Sequence, residues 1–180
     1  QTFIGSKFSS GVLPPEMIAK MTTRDDFKIV EEYFKCDSEK DPEQWEKIKP
    51  RLNGEVGYMV KTYNTCVVVK ERIDSSTYQV DEPLSLEELP YKLENAAIAI
   101  DIWSYGVLLF TLLTKSPLFK VNRDDDLENE KEMAELYDWN KTVLSERLDV
   151  VSDLIARDLL DKLLQPEPEN RISAKKAIEH

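Results

Sequence analysis

The spacing of apolar residues predicts helices in the first third of this chain. Thr23 is followed three residues later by a carboxylate, as in a capping box, and marks the expected start of a helix. The apolar face behind it consists of Phe27, Val30, Tyr33 and Phe34. A second helix is predicted from Asp41-Pro42, an N-cap followed by proline at the first helical position. Its apolar face would consist of Trp45, Ile48 and Leu52.

Residues 56–73 differ in character, because they are rich in β-branched and aromatic side chains. This composition predicts a β-hairpin with Asn64-Thr65 near its middle. Residues 74–92 are polar and interrupted by proline, with one helical turn expected around residues 85–88.

A nearly continuous apolar run, AAIAIDIWSYGVLLFTLL, covers residues 96–113. It reaches only the lower limit of a membrane-spanning length, and Asp101 within it would cost roughly 3 kcal/mol at the centre of a bilayer. We therefore expect the central, buried helix of a helical domain and no membrane partner.

Further helices are predicted towards the C-terminus. One of them would bury Met133, Leu136 and Trp139. The next covers about residues 151–164 and would turn inward Ile155, Leu159, Leu160, Leu163 and Leu164. The last is expected to start at the N-cap Ser173 and to be still helical at His180.

Composition narrows the classes of function. The chain has 180 residues, enough for one domain, and its formal net charge of −11 is unsuited to nucleic-acid phosphates or anionic membranes. Two cysteines and one histidine argue against a disulfide framework, a histidine metal site and a Ser-His-Asp triad. The acidic residues 124–128 lack the glycine and spacing of a calcium loop, so no metal site is predicted. A cytoplasmic location is expected, because no signal peptide is visible.

Three short segments carry most of the functional information. The first is GVLPPE, residues 11–16. The second is DIWSYGV, residues 101–107, within the long apolar run. The third is LLDKLLQPEPENRISA, residues 159–174, followed by AIEH at residues 177–180.

Together, and in this order, the segments resemble the C-terminal lobe of a eukaryotic-type protein kinase. GVLPPE is similar to the A-P-E end of the activation segment, DIWSYGV to the D-x-W-S-x-G-V helix, and the third segment to the last kinase motif, with Glu167 in place of aspartate. The P-P-E form resembles the tyrosine-kinase-like group of kinases. Within that group, residues 7–17 and 121–127 resemble the large kinases of oomycetes and related protists.

The resemblance implies a mainly α fold, the helical bundle of a kinase C-lobe, over residues 1–180. Residues 1–16 would end the activation segment, and residues 96–180 would form the helical core. Residues 17–95 would be an insertion, a small helix and β-hairpin element that is either a docking element or a tolerated surface insertion. Gln1 is expected to lie at a truncation or domain boundary.

The resemblance also implies roles for individual residues. Glu16 and Arg171 would form a largely buried ion pair, and Asp101 with Trp103 would support the catalytic loop. The surface on which the protein substrate docks, called the substrate floor below, would consist of Ser9, Gly11, Val12 and Leu13. Val12 departs from the tyrosine usual at its position. Candidate phosphorylation sites, with solvated loop serines as the alternative, are Ser6, Ser9 and Ser10.

The sequence contains no G-x-G-x-x-G loop, no V-A-I-K lysine, no H-R-D loop and no D-F-G. We therefore expect no catalytic residue and no cofactor in this chain, which alone would be inactive, whereas a full-length kinase would use ATP and magnesium. The implied partners are an N-terminal lobe or upstream part of the same chain, and a protein substrate or regulator. The main interpretation is a Ser/Thr-type protein kinase. The alternatives are a pseudokinase or kinase-derived interaction module, and an unrelated helical scaffold that matches the motifs by chance.

Overall fold

The computed structural model describes residues 9–62 and 89–180. In this part of the chain the mainly helical fold expected from the sequence is confirmed, with one small sheet beside the helices. The helices are α1 (Arg24–Tyr33), α2 (Lys35–Lys40), α3 (Pro42–Ile48), α4 (Ile98–Thr114), α5 (Glu130–Tyr137), α6 (Lys141–Leu148), α7 (Leu154–Leu163) and α8 (Ala174–Ile178). The strands are β1 (Ile18–Met21), β2 (Arg51–Asn53) and β3 (Val56–Val60). None of the helices described has the length and apolar character needed to cross a membrane.

The predicted capping box starts α1. Thr23 Oγ1 accepts a hydrogen bond from the amide of Asp26 at 3.1 Å, and the Asp26 carboxylate accepts from the amides of Thr22 and Thr23 at 2.9 Å each. These backbone donors hold the pKa of Asp26 below its ordinary value. The bonds to the carboxylate therefore favour the folded state at neutral pH, and that contribution is lost as acid protonates Asp26.

The three strands form one antiparallel sheet in which β3 is central. Ile18 of β1 lies opposite Val60, and Arg51 of β2 lies opposite Tyr58. The chain reverses between β2 and β3 at Gly54, whose φ of 68° is a left-handed conformation that glycine adopts without strain.

Strands β2 and β3 form a hairpin that the sequence did not predict. Strand β3 begins at Val56 as expected, but its hairpin partner in the described residues is the preceding β2. The helix predicted to reach Leu52 instead ends at Ile48, because Pro50 lacks the amide hydrogen that would continue it. Leu52 lies on an edge strand with 59% of its surface exposed. The turns expected at residues 64–65 and 85–88 lie outside the described residues.

The sheet separates two hydrophobic clusters because its side chains alternate between two faces. Ile18 and Tyr58 face the main core, which the helices from α4 onward build around Trp103. Ala19 and Met59 face a smaller core formed with α1 and α3. Both faces of the sheet are thus covered, and β1 and β3 are buried along most of their length.

Helix α4 is less buried than its composition predicts. Its inner side packs on α7, where a Cβ at Gly106 would lie 2.8 Å from Leu164 Cδ2, so the two helices approach closely. The other side carries five large side chains that are exposed: Ile98, Tyr105, Leu108, Leu112 and Leu113. The expectation of a helix buried on nearly all sides is therefore wrong, and α4 has an exposed apolar face.

The C-terminal helices differ from the prediction at their ends. Helix α7 begins at Leu154 rather than near residue 151, because Asp153 caps it, and Ile155 in its first turn is 70% exposed instead of inward. Ser173 caps α8 as predicted, but α8 ends at Ile178, before His180. Helix α6 was not predicted; Asn140 caps it, and it buries only Leu144 and Leu148.

Candidate functional site

Two of the three motif segments meet through Glu16 and Arg171. Arg171 Nη1 donates to Glu16 Oε1 at 2.6 Å, and Nη2 donates to Oε2 at 2.7 Å. The Arg171 side chain is 1% exposed and that of Glu16 is 19% exposed. This is a bidentate, charge-assisted contact shielded from water, the strongest type of ion-pair geometry that arginine makes.

The remaining N–H groups of Arg171 are also used. Nε donates to the carbonyl of Gln165 at 3.0 Å, Nη1 also to that of Ala99 at 3.0 Å, and Nη2 also to that of Pro166 at 3.1 Å. A guanidinium has five N–H donors, and here all five have an acceptor. Arg171 therefore fixes the GVLPPE segment, the beginning of α4 and the end of α7 relative to one another.

Trp103 of the second motif lies beside this ion pair in the main core. Its side chain is fully buried, and the Arg171 guanidinium carbon lies 5.1 Å from its ring centroid. Trp139 meets the same ring edge-on at 5.6 Å. Trp103 Nε1 has no hydrogen-bond partner among the described residues, so Trp103 acts through packing and the cation–π contact.

Asp101 is exposed, although it lies within the helix that the sequence predicts to be buried. Its side chain is exposed on the first turn of α4, and it makes no hydrogen bond or ion pair within residues 9–62 and 89–180. The motif still contacts the substrate floor, because Ser104 Oγ lies 2.9 Å from the carbonyl oxygen of Val12. Asp101 thus faces solvent, whereas Glu16 is bound by an arginine.

The substrate floor rests on a second element, residues 120–128, called the acidic loop below. The amide of Gly11 donates to the carbonyl of Asp125 at 3.0 Å, and the amide of Ser10 donates to Asp126 Oδ1 at 2.9 Å. A Cβ at Gly11 would lie 2.4 Å from Val121 Cγ1 and 2.7 Å from the backbone carbonyl oxygen of Asp125, both far below van der Waals contact. Glycine at position 11 is therefore required by this close approach, and Leu13 beside it is buried.

The candidate phosphorylation sites have different surroundings. Ser10 is buried, and its hydroxyl donates to Asp126 Oδ1 at 3.1 Å and accepts from the amide of Leu127 at 2.9 Å. Ser9 is half-buried, and its hydroxyl lies 3.3 Å from the carbonyl of Asp124. Ser6 lies outside the described residues. A phosphate on Ser10 would require the floor to open and would then meet the Asp126 carboxylate, so Ser9 is the more accessible of these two.

Sequence reasoning missed the role of Asp126. Three successive aspartates suggest a solvated loop, and only the structure separates them: Asp124 and Asp125 are exposed, whereas Asp126 is half-buried against Ser10. Asn122 orders the loop, since its Oδ1 accepts from the amides of Asp124 and Asp126. No periodicity in the sequence distinguishes the inward aspartate from its neighbours.

The side chains of this site hold backbone segments in position. In the described part of the chain, no group of histidine, cysteine, aspartate and glutamate side chains could hold a metal ion. The functional side chains instead hold backbone: Arg171 holds three carbonyls, Ser104 holds the floor at Val12, and Asp126 holds it at Ser10. Such an arrangement can present an ordered surface to a peptide.

The model of the family described as "Protein kinase domain" matches residues 57–180, which is more than half of the chain. Cyclin-dependent kinase 12 of Caenorhabditis elegans is 35% identical over 103 residues, covering 46% of this chain and 14% of that protein. The phosphorylase b kinase gamma catalytic chain (liver/testis isoform) of Bos taurus is 38% identical over 81 residues, covering 45% and 18%. Cyclin-dependent kinase B2-1 of Oryza sativa is 35% identical over 102 residues, covering 45% and 30%. No solved structure matches the chain.

Proposed function

Because this chain belongs to the protein kinase domain family, we propose that it forms the C-terminal, substrate-side lobe of a eukaryotic-type Ser/Thr protein kinase. The aligned parts of the chain span only 14%, 18% and 30% of the three relatives named above. The phosphorylation reaction, its substrate and its regulation therefore belong to the proposal for the full-length protein.

The observation that carries the proposal is the contact between Glu16 and Arg171. The resemblance pairs these two residues, and they lie 155 positions apart in the sequence. A helical scaffold that matched kinase motifs by chance would have no reason to join them through two bonds of 2.6 and 2.7 Å. The pair ties the end of the activation segment to the lobe, which is the arrangement that a substrate-binding surface requires.

The exposed apolar face of α4 supports a larger kinase domain around this lobe. Ile98, Tyr105, Leu108 and Leu112 follow one another at helical spacing and are exposed. A contiguous apolar face of this kind marks a surface that another element covers. We propose that the remaining part of the same kinase domain covers it, with its catalytic loop at Asp101, the exposed carboxylate at the start of this face.

In the full-length protein, ATP and magnesium would be bound by residues outside this sequence, which has no glycine-rich loop and no D-F-G. This chain would order the protein substrate on the floor formed by Ser9, Gly11, Val12 and Leu13. The P-P-E form of the first motif supports placement in the tyrosine-kinase-like group. Ser9 supports serine or threonine as the accepting residue, and the location proposed is cytoplasmic.

The second candidate function is a pseudokinase or kinase-derived interaction module. The described site fits this function as well, because its side chains hold backbone groups, and positioning residues alone transfer no phosphate. The two candidates make opposite predictions for the full-length protein. An enzyme transfers phosphate from ATP, and an interaction module binds its partner without transfer.

The direct test is a phosphate-transfer assay on the full-length protein. We expect labelled phosphate to pass from MgATP to the mixed substrates casein and myelin basic protein, and to appear on serine or threonine. Gly11→Val in the same protein should reduce transfer, because its side chain would clash with Val121 beneath the floor. Absence of transfer by an intact, folded protein would favour the interaction module.

The 180-residue chain by itself should not bind MgATP. Its sequence lacks the lysine, glycine-rich loop and metal-binding aspartate that hold the nucleotide in kinases. Calorimetric titration should show no specific heat of binding. A dissociation constant in the micromolar range would contradict the proposal that the nucleotide is bound by residues outside this sequence.

A further inference from the structure

Strand β2 is hydrogen-bonded to the acidic loop through the side chain of Arg51. Arg51 Nη1 donates to the carbonyl oxygen of Leu127 at 2.6 Å. Leu127 is fully buried, so its carbonyl has little access to water and depends on this donor. Arg51 lies before residue 57, where the match to the kinase family begins, and outside the three motif segments.

The same residue, Leu127, also contacts the substrate floor. Its amide donates to Ser10 Oγ at 2.9 Å, and this contact is buried. Asp126 Oδ1 in turn accepts hydrogen bonds from both the amide and the hydroxyl of Ser10. One continuous set of hydrogen bonds therefore connects the guanidinium on β2 to the residue that precedes Gly11.

The acidic loop is also held at both of its ends, in addition to its contacts with the floor. The amide of Lys120 donates to the buried carboxylate of Glu132 on α5 at 3.1 Å, which holds the beginning of the loop. The end of the loop is held by Arg51 at the carbonyl of Leu127 and by the Leu127 side chain, which is buried in the main core. Because the amide of Gly11 donates to the carbonyl of Asp125, and the two backbones are in close contact, a shift of the loop should displace the floor.

We propose that Arg51 is a positioning residue. It fixes the position of the substrate-floor backbone, and keeps that backbone ordered, through Leu127 and Ser10. Residues 18–60 thereby act on substrate binding without touching the substrate, and a partner that moves β2 would change the affinity for substrate. The role in substrate binding rests on the proposed kinase function. The mechanical connection from β2 to the floor does not.

The experiment measures backbone hydrogen exchange in the full-length protein and in its variant Arg51→Met. Methionine keeps the apolar stem and removes all donors, so the carbonyl of Leu127 loses its charged partner. We expect the amides of Ser10, Gly11 and Leu127 to exchange roughly threefold to tenfold faster, as loss of one buried hydrogen bond implies. Exchange in α4 and α7 should stay unchanged.

Arg123→Met is the matched control, because Arg123 is an exposed arginine of the same loop and makes no hydrogen bond within the described residues. It should leave exchange of the floor amides unaltered. Arg51→Lys retains one charged donor group and should give an intermediate effect. This variant still tests the proposal if the methionine variant folds poorly. Equal exchange in wild type and both Arg51 variants would overturn the proposal, and so would an increase spread evenly over α4 and α7.

The functional measurement separates this proposal from the proposed kinase activity. In an active full-length kinase, Arg51→Met should raise KM for a protein substrate about threefold or more while KM for ATP stays within about twofold, because only the floor is disturbed. Faster exchange at the floor in a protein without kinase activity would retain the positioning role and refute the kinase proposal. Normal KM for protein substrate in an active enzyme would overturn the role of Arg51 in substrate binding.

Discussion

Replacing Arg171 with alanine should lower the free energy of unfolding by about 3–5 kcal/mol. The substitution leaves the Glu16 carboxylate without its partner and removes the donors to the carbonyls of Ala99, Gln165 and Pro166. For a chain of this size the loss corresponds to a fall in melting temperature of roughly 6–20 °C. Thermal unfolding followed by circular dichroism measures it.

The control for this substitution is Arg123→Ala, which removes an exposed arginine without a hydrogen bond in the described residues and should change stability by less than about 0.5 kcal/mol. A double-mutant cycle with Glu16→Ala then isolates the pair. If Arg171 acts through Glu16, the double variant should be clearly more stable than the sum of the single losses implies. Strict additivity would show that the two charges do not stabilise each other.

Replacing Trp103 with alanine should cost a comparable amount, about 3–5 kcal/mol. The indole is fully buried between Arg171 and Trp139, and its removal leaves a cavity in the middle of the main core. Denaturant unfolding of the variant should show a lower midpoint at an unchanged slope. Tyr105→Ala on the same helix is the matched control, because Tyr105 is exposed and should cost much less.

A pair of tryptophan-to-phenylalanine variants sharpens this prediction. Trp103 Nε1 has no partner in the described part of the chain, whereas Trp139 Nε1 donates to the buried carbonyl of Leu164 at 3.0 Å. Trp139→Phe should therefore be more destabilising than Trp103→Phe, by about 1–3 kcal/mol for the orphaned carbonyl. The reverse order would contradict the assignment of hydrogen bonding to Trp139 and packing to Trp103.

Local signals predicted the parts of the fold that depend on neighbouring residues. The capping box at Thr23 and the N-cap at Ser173 were found because their hydrogen bonds lie within one helical turn. The apolar run predicted α4 within two residues of its observed ends. Its exposed face could not be predicted, because an apolar residue in the sequence does not reveal whether another element covers it.

Contacts between distant segments were harder to predict. Strand β2 was missed because residues 51–53 have no β-branched side chain, and their strand conformation comes from pairing with β3. Arg51 and Asp126 were missed for the same reason, since their partners, Leu127 and Ser10, are 76 and 116 positions away. Glu16 and Arg171 were singled out only through a family resemblance, and no local pattern would have joined them.

The separation between Glu16 and Arg171 also bears on how the chain folds. The two residues close a loop of 155 positions, and contacts of such range cost loop entropy before they contribute any stability. We expect the pair to form after the folding transition state, once α4 and α7 have packed. Stabilisation gained that late slows unfolding and leaves the folding rate nearly unchanged. The arginine would then govern how long the folded chain survives between openings, and hence how often a protease can reach it.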